Sequence, residues 1–178
     1  MIKKNDKQTI RAWAFYDWAN SAYNLVISTA IFPIFYQKMT SSVDANGITN
    51  EKVSFFGMEF INTEIYSYVV SFSFLIVSAI SPILSGIADY SGSKKSFLKF
   101  FCYLGSLGCA LLFFFDVDHL ELSMVFVMIA SIGFWGSLVF YNAFLPEVAD
   151  YVHHDKVSAQ GFAYGYVGSS LLLVAILI

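Results

Sequence analysis

Residues 81–95, Ser-Pro-Ile-Leu-Ser-Gly-Ile-Ala-Asp-Tyr-Ser-Gly-Ser-Lys-Lys, determine how the rest of the chain must be arranged. They lie between two long apolar segments, 65–88 and 97–115. Each segment is about 20 residues long, and at ~1.5 Å rise per residue a helix of that length crosses the ~30 Å hydrocarbon core of a bilayer. The stretch therefore predicts two membrane-spanning helices and a short polar link that carries Asp89, Gly92, Lys94 and Lys95.

The composition extends this prediction to the whole chain. Of its 178 residues, 57% are hydrophobic and 13% are charged, whereas a soluble domain carries about 25% charged residues. The net charge of −3 offers no basic surface, which argues against nucleic acid as a partner and leaves the lipid bilayer. We expect residues 1–178 to form one all-α polytopic membrane helix bundle with five transmembrane helices, at about 12–37, 65–88, 97–115, 122–145 and 158–178.

The first span carries a narrow polar stripe made of Asp17, Asn20, Ser21, Asn24 and Ser28. At 100° per residue these positions fall within an arc of roughly 100°. Polar groups at membrane depth face protein or water rather than lipid. We expect a substrate path lined by three of these residues and one residue of the fourth span, namely Asp17, Asn20, Asn24 and Asn142.

Asp17 has two interpretations. If the helix begins at Ala12, Asp17 lies inside the membrane, where it could bind a substrate amine or carry a proton. If the helix begins at Asp17, the residue is a favoured N-cap, and Trp18 to Tyr36 still spans the bilayer.

Small residues mark the helix faces that should pack closely. Gly161 and Gly165 lie four apart in the fifth span, and Gly105 lies in the third span on a face with Cys102, Ser106 and Cys109. The two cysteines, seven residues apart on a helix, are ~10 Å apart and beyond disulfide reach. In the second span, five serines share a face that indicates a helix interface or a wet cavity, with plain packing as the alternative: Ser67, Ser71, Ser78, Ser81 and Ser85.

Polar segments separate the spans. Residues 38–64 form a loop that includes Asp44 and an Asn46–Gly47 turn, and 116–121 form a tight acidic link. The loop 146–157 contains His153, His154 and Asp155, a cluster that suggests metal binding. Adjacent histidines point in different directions and no further ligand is evident, so a solvated loop is the favoured interpretation and we expect no metal site.

The basic residues predict the orientation of the chain. An N-terminus in the cytoplasm places eight of the ten basic residues inside: Lys3, Lys4, Lys7, Arg11, Lys94, Lys95, Lys99 and Lys156. Only Lys38 and Lys52 would lie outside. We therefore expect loops 38–64 and 116–121 to be external.

The link at 81–95 resembles the loop that follows the second helix of the major facilitator superfamily. Asp89, Gly92, Lys94 and Lys95 match the family pattern, whereas Ser85 stands where glycine is usual and Tyr90 where a basic residue is usual. This resemblance implies that the four matching residues form a cytosolic gate. It also implies an alternating-access transporter of twelve helices in two six-helix halves.

Two further stretches resemble one branch of that superfamily, the vacuole effluxer-like proteins. Phe15-Tyr-Asp-Trp-Ala-Asn-Ser-Ala-Tyr23 is similar to the first-helix signature of the branch, and Tyr141-Asn-Ala-Phe-Leu-Pro-Glu-Val-Ala149 to a pattern that follows its fourth helix. The branch includes the autophagy-related amino-acid permeases and their bacterial relatives. The resemblance therefore implies amino-acid export for the eukaryotic members but does not give the substrate of the bacterial ones.

The sequence thus predicts the first part of a secondary transporter for a small polar solute, with amino-acid efflux as its specific form. Its expected partners are the bilayer, the solute, a coupling proton and a C-terminal half of the same protein, because the chain ends on an apolar run. We expect no cofactor and no enzymatic activity, since no span carries a paired acid and base. A bacterial inner membrane is the expected location. The alternative is an accessory helix bundle that transports nothing, in which the polar stripes are packing seams.

Overall fold

The computed structural model describes residues 4–43 and 47–178. Lys3, Asp44 and Asn46, which entered the predictions above, lie outside the described residues. Within the described ranges, seven α-helices carry most of the chain: α1 (Lys7–Ala22), α2 (Ile31–Thr40), α3 (Asn62–Ser91), α4 (Lys94–Leu111), α5 (Leu120–Ala143), α6 (Leu145–Val148) and α7 (His154–Leu177). The expectation of an all-α helix bundle is confirmed.

Four helical segments in the described part of the chain are long and apolar enough to cross a membrane: Asn62–Ser91, Lys94–Phe114, Leu120–Val148 and Tyr151–Leu177. The predicted first span lies in a helical run from Lys7 to Thr40 that a π-helix, Tyr23–Ala30, divides into three pieces. Each piece is shorter than the ~20 residues that a span needs, although one follows another without a break. The predicted count of five is therefore approximate.

Two helical segments begin earlier than the apolar spans predicted. The helical run that contains the first span begins at Lys7 rather than at residue 12, since the Asp6 carboxylate accepts the Thr9 backbone N–H at 3.0 Å. At the other end of the chain, α7 begins at His154 rather than at 158. The predicted loop 146–157 was therefore too long, because α6, a 3₁₀ turn, Tyr151–His153, and the start of α7 occupy most of it.

By its contacts the chain forms two compact units. The first is the chain up to Pro33 together with Phe140–Ile178, and the second is Ile34–Val139.

In the first unit, α1 packs along α7 through glycines. A Cβ added at Gly161 would lie 2.8 Å from the Trp13 ring, and one at Gly168 would lie 2.7 Å from the Trp18 ring. Contacts below 3.0 Å leave no room for a methyl group, so the two helices approach each other more closely than larger residues would allow.

In the second unit, α4 packs against α5 through a different face from the one predicted. Its buried residues are Phe101, Gly105 and Gly108, whereas Cys102 and Ser106 are exposed. A Cβ added at Gly105 would lie 3.3 Å from the backbone of Gly133. Gly105 therefore lies at the contact, but Cys102 and Ser106 do not, because at 100° per residue they lie on the other side of Gly105 from Phe101 and Gly108. Both cysteines are free thiols.

The predicted loop 38–64 is more ordered than a polar loop. Strands β1 (Ser42–Val43) and β2 (Thr49–Asn50) form one antiparallel hairpin, and β3 (Lys52–Phe55) and β4 (Met58–Ile61) form a second. The turn of the second hairpin uses Phe56 and Gly57, both with positive φ (50° and 76°). Two successive residues with positive φ are the signature of a tight hairpin turn.

The serine face predicted for α3 does not form a buried stripe. Ser67, Ser71 and Ser78 are exposed, and Ser81 and Ser85 are half-buried. The hydroxyl of Ser67 donates to the Thr63 carbonyl at 2.8 Å, one turn earlier in its own helix. A hydroxyl that is satisfied in this way needs no partner on another helix.

Candidate functional site

Asp17 lies inside α1 and does not cap it. The helix begins ten residues earlier, at Lys7, with Asp6 as its N-cap. The N-cap interpretation of Asp17 is therefore wrong, since the apolar run alone did not reveal that Asp6 and Thr9 start the helix.

The Asp17 side chain is buried, with 6% of its surface exposed, and it faces α7. A Cβ added at Gly165 would lie 3.0 Å from Asp17 Oδ2 and would overlap Ser21 Oγ. The missing side chain of Gly165 thus makes the space in which the carboxyl and the hydroxyl of α1 lie. This part of the polar stripe is enclosed between two helices of the first unit.

An aromatic cluster lies next to this carboxyl. Tyr141 stacks between Trp13, at a ring-centroid distance of 4.4 Å, and Tyr16, at 5.0 Å. Trp13 Nε1 also donates a hydrogen bond to the Tyr141 carbonyl at 3.2 Å, so α1 is held to the end of α5. The three stacked rings form one wall of the region around Asp17.

Tyr141 is a residue that sequence reasoning did not select as a site residue. It is 4% exposed, and its buried hydroxyl has no hydrogen-bond partner among the described residues. Leaving a buried hydroxyl unsatisfied costs about 1–3 kcal/mol. The available signal was its position beside Asn142 in a quoted motif, but a tyrosine in an aromatic-rich chain did not stand out.

The four predicted path residues differ in exposure. Asp17 is buried and Asn20 is half-buried, whereas Asn24 and Asn142 are exposed. The stripe assumed a regular α-helix, and the π-helix that begins at Tyr23 changes the angle between successive side chains.

One side-chain hydrogen bond lies within the π-helix. The Thr29 hydroxyl donates to the Asn24 carbonyl five residues earlier, at 2.8 Å. Pro33, which follows, has no backbone N–H to continue an α-helical ladder. Wide turns of this kind occur frequently at functional sites.

The predicted gate residues lie at the junction of α3 and α4. Asp89 Oδ1 and Lys94 Nζ form an ion pair of 2.9 Å, and Lys95 is exposed. Gly92 ends α3 in the left-handed region, with φ 63°. A residue with a side chain is strained there, which explains why this turn requires glycine.

The stretch 141–149 forms the break between α5 and α7. Asn5, which lies just before α1, binds next to this break. The Asn5 backbone N–H donates to the Val148 carbonyl at 2.9 Å. The Asn5 side chain makes two further hydrogen bonds with Asp150, of 2.5 and 3.1 Å. Nearby, one ring nitrogen of His154 contacts the Ala149 carbonyl at 3.0 Å, so this histidine has a structural role in the turn.

Three relatives indicate the kind of protein to which the chain is similar. The chain is 39% identical over 171 residues to "Uncharacterized MFS-type transporter YxiO" of Bacillus subtilis, covering 96% of the chain and 37% of the relative. It is 25% identical to "Autophagy-related protein 22" of Coccidioides immitis, covering 81% and 29%, and 26% identical to an "Uncharacterized protein" of Aquifex aeolicus, covering 92% and 36%. The chain thus spans about a third of the length of these relatives. No solved structure matches it.

The family match is broader than these pairwise comparisons. Residues 5–178 match the family described as "Vacuole effluxer Atg22 like", and this range includes the buried Asp17, the Asp89–Lys94 pair and the α5–α7 break. The motifs at 15–23, 81–95 and 141–149 predicted the same branch. The chain belongs to the vacuole effluxer Atg22-like family of major facilitator transporters.

Proposed function

We propose that the chain is part of a secondary active transporter that moves a small polar solute across the membrane by alternating access. Membership of the effluxer family supports this proposal, as does the relative from Bacillus subtilis whose description is that of an MFS-type transporter. We further propose that the solute is an amino acid and that a bacterial inner membrane is the location. The relatives from two bacteria support that location.

The observation that carries the proposal is the buried carboxyl of Asp17. An ionisable group inside a membrane helix bundle costs several kcal/mol unless it is paired or hydrated, and such groups commonly mark substrate or proton pathways. Asp17 lies against Ser21 and Gly165, which offer a hydroxyl and bare backbone rather than a counter-charge. We propose that Asp17 binds the amine of the solute or carries a coupling proton.

The ion pair between Asp89 and Lys94 is proposed to act as a gate. Asp89 lies at the C-terminal end of α3 and Lys94 at the N-terminal end of α4, so each charge opposes the dipole of its own helix. The ion pair offsets the unfavourable interaction of each charge with the dipole of its helix. Because the Asp89 side chain is 64% exposed, the pair adds only about 0.2–1 kcal/mol to stability. Loss of transport in an Asp89 variant would therefore report on gating rather than on unfolding.

The test is amino-acid transport by the complete protein in proteoliposomes. Asp17→Asn removes the charge but keeps the shape, and Asp89→Asn breaks the ion pair. We expect each substitution to lower the initial rate roughly tenfold or more, which corresponds to ~1.4 kcal/mol of lost stabilisation. Asp116→Asn, an exposed aspartate outside both sites, is the matched control and should transport at the wild-type rate.

Two outcomes would contradict these proposed roles. Transport by Asp17→Asn at the wild-type rate, with the same amount of folded protein in the vesicles, would contradict the role of Asp17. The same result for Asp89→Asn would contradict the gate.

A further inference from the structure

Two buried oxygen groups of the first unit, the Asp17 carboxyl and the Tyr141 hydroxyl, have no hydrogen-bond or ion-pair partner within residues 4–43 and 47–178. The side chains are 6% and 4% exposed, respectively. A carboxylate that is buried without a counter-charge is costly, and such a group takes up a proton instead. The surroundings of Asp17 are therefore those of a carboxyl that binds a proton.

Both groups face α7 at glycines that lie one turn apart. A Cβ added at Gly161 would lie 3.0 Å from the Tyr141 hydroxyl oxygen, and one at Gly165 would lie 3.0 Å from Asp17 Oδ2. Positions four residues apart on a helix have Cβ atoms ~5–6 Å apart. The charge of Asp17 also acts on the Tyr141 hydroxyl. The two oxygens are thus neighbours along one strip of α7.

The space beside Asp17 suits a proton better than a solute. A Cβ added at Gly165 would overlap Ser21 Oγ, so less than a methyl group fits between α1 and α7 at this point. The other titratable groups on this side are the stacked phenols of Tyr141 and Tyr16, and α7 presents glycine rather than a charged side chain. An ammonium group would need this packing to open, whereas a proton needs no room.

We propose that Asp17 and Tyr141 form the proton-binding site of the transporter. When the Asp17 O–H bond breaks, the proton passes to a water molecule. The Tyr141 hydroxyl then donates a hydrogen bond, directly or through one water molecule, to the carboxylate that remains. Tyr141 is thus a positioning residue. The proposal rests on the transport function above, and of the two roles given there for Asp17 it selects proton carriage over binding of the solute amine.

The experiment follows the protonation of Asp17 in the complete protein in lipid vesicles. Infrared difference spectra are recorded without solute over a series of pH values, and the C=O band of a carboxylic acid disappears when the acid ionises. We expect a titrating band that is absent from Asp17→Asn. Isotope-labelled aspartate shifts this band, and Asp17→Glu gives a second assignment because its band does not respond to the label.

Tyr141→Phe tests the hydrogen-bond partner. The ring that stacks on Trp13 and Tyr16 remains, and only the hydroxyl is lost. Because a hydrogen bond stabilises the carboxylate more than the neutral acid, its loss should raise the midpoint of the Asp17 titration. We expect a shift of about one pH unit, a tenfold change in proton affinity. Tyr166→Phe, which removes an exposed hydroxyl from α7, is the matched control and should leave the midpoint unchanged.

Three results would overturn the proposal. A wild-type protein without an Asp17-dependent acid band would show that Asp17 stays ionised. The same midpoint in Tyr141→Phe as in the wild type, or the same shift in Tyr166→Phe, would exclude the Tyr141 hydroxyl as the partner. A midpoint that falls when sodium replaces choline in the buffer would show a sodium site instead.

The proton site and the proposed solute fail on different results. The spectra need no solute, so they decide the proton site by themselves. Failure of the complete protein to transport any amino acid would contradict the proposed solute but would not alter the titration of Asp17.

Discussion

Individual polar residues in this chain find partners close by, and Asn62 is the clearest case. It is completely buried at the start of α3. Its side-chain amide donates to Thr40 Oγ1 at 2.9 Å, and its backbone carbonyl accepts a hydrogen bond from the Tyr36 hydroxyl at 2.9 Å. Buried amides and hydroxyls are tolerated when they are satisfied in this way. Tyr141 departs from this rule, which singles out the region around Asp17.

Asp116 and His119 provide a pH-dependent contact in the link between α4 and α5. Asp116 Oδ2 lies 2.9 Å from His119 Nδ1. The hydrogen bond to Asp116, followed by its negative charge, raises the pKa of His119. The hydrogen bonds from His119 and from the Asp118 backbone lower the pKa of Asp116. The contact should therefore be complete between about pH 3.9 and 6.5, the ordinary pKa values of the two residues.

The first prediction concerns the titration of this histidine. The contribution of the pair should be lost as pH rises through the raised pKa of His119 and as pH falls through the lowered pKa of Asp116. In an NMR titration, Asp116→Asn should lower the pKa of His119. Asp118→Asn should lower it less, because Asp118 acts on His119 only through its charge. Equal effects of the two substitutions would contradict the hydrogen-bond assignment.

Among the elements, α4 and α5 approach each other most closely where glycine faces glycine. A Cβ added at Gly133 would overlap the backbone of Gly105, which cannot rotate away. A Cβ added at Gly86, on α3, would meet no other atom within 4 Å. The two glycines therefore differ in packing but not in helical context.

We predict opposite effects when alanine replaces these two glycines. Gly133→Ala should destabilise the protein by about 1–3 kcal/mol, the usual cost of overpacking. Gly86→Ala should stabilise it by up to about 1 kcal/mol, because alanine is the better helix former. Unfolding in a graded series of detergent mixtures measures both. Stability of Gly133→Ala equal to that of Gly86→Ala would contradict the close approach.

A helix could be predicted from the sequence where a single property, such as hydropathy, determines it. The apolar runs located α3, α4, α5 and α7, since length and hydropathy decide which helices cross a membrane. The π-helix at Tyr23–Ala30 could not be predicted, because hydropathy does not distinguish a π-helix from an α-helix. The face of α4 was predicted from small residues, but the contact with Gly133 selected Gly105 and Gly108 and left Cys102 exposed.

The candidate site was only partly accessible to the same reasoning. The cost of a charge in the membrane identified Asp17 from the sequence. Its neighbours Tyr141 and Gly165 depend on how α1, α5 and α7 come together, which is a property of long-range packing. Gly165 had been selected as a packing residue without any connection to Asp17, and the structure places the two in contact.

For the whole molecule, the distribution of basic residues makes a prediction about orientation. In a variant without Cys102 and Cys109, single cysteines at Ile48 and Ser93 should differ in accessibility. We expect a membrane-impermeant maleimide to label Ile48→Cys in intact cells, and Ser93→Cys only after the cells are permeabilised. Labelling of Ser93→Cys in intact cells would contradict a cytoplasmic N-terminus.

The central claim is that the chain belongs to a carrier that exposes its solute site to one side of the membrane at a time. Counterflow tests it most directly. Proteoliposomes containing the complete protein are loaded with one unlabelled amino acid, and a trace of the same labelled amino acid is added outside. A carrier with alternating access predicts transient accumulation of label above its equilibrium level for at least one amino acid of the panel. Simple equilibration of the label would contradict alternating access, and no entry of label for any amino acid tested would contradict the proposal that the solute is an amino acid.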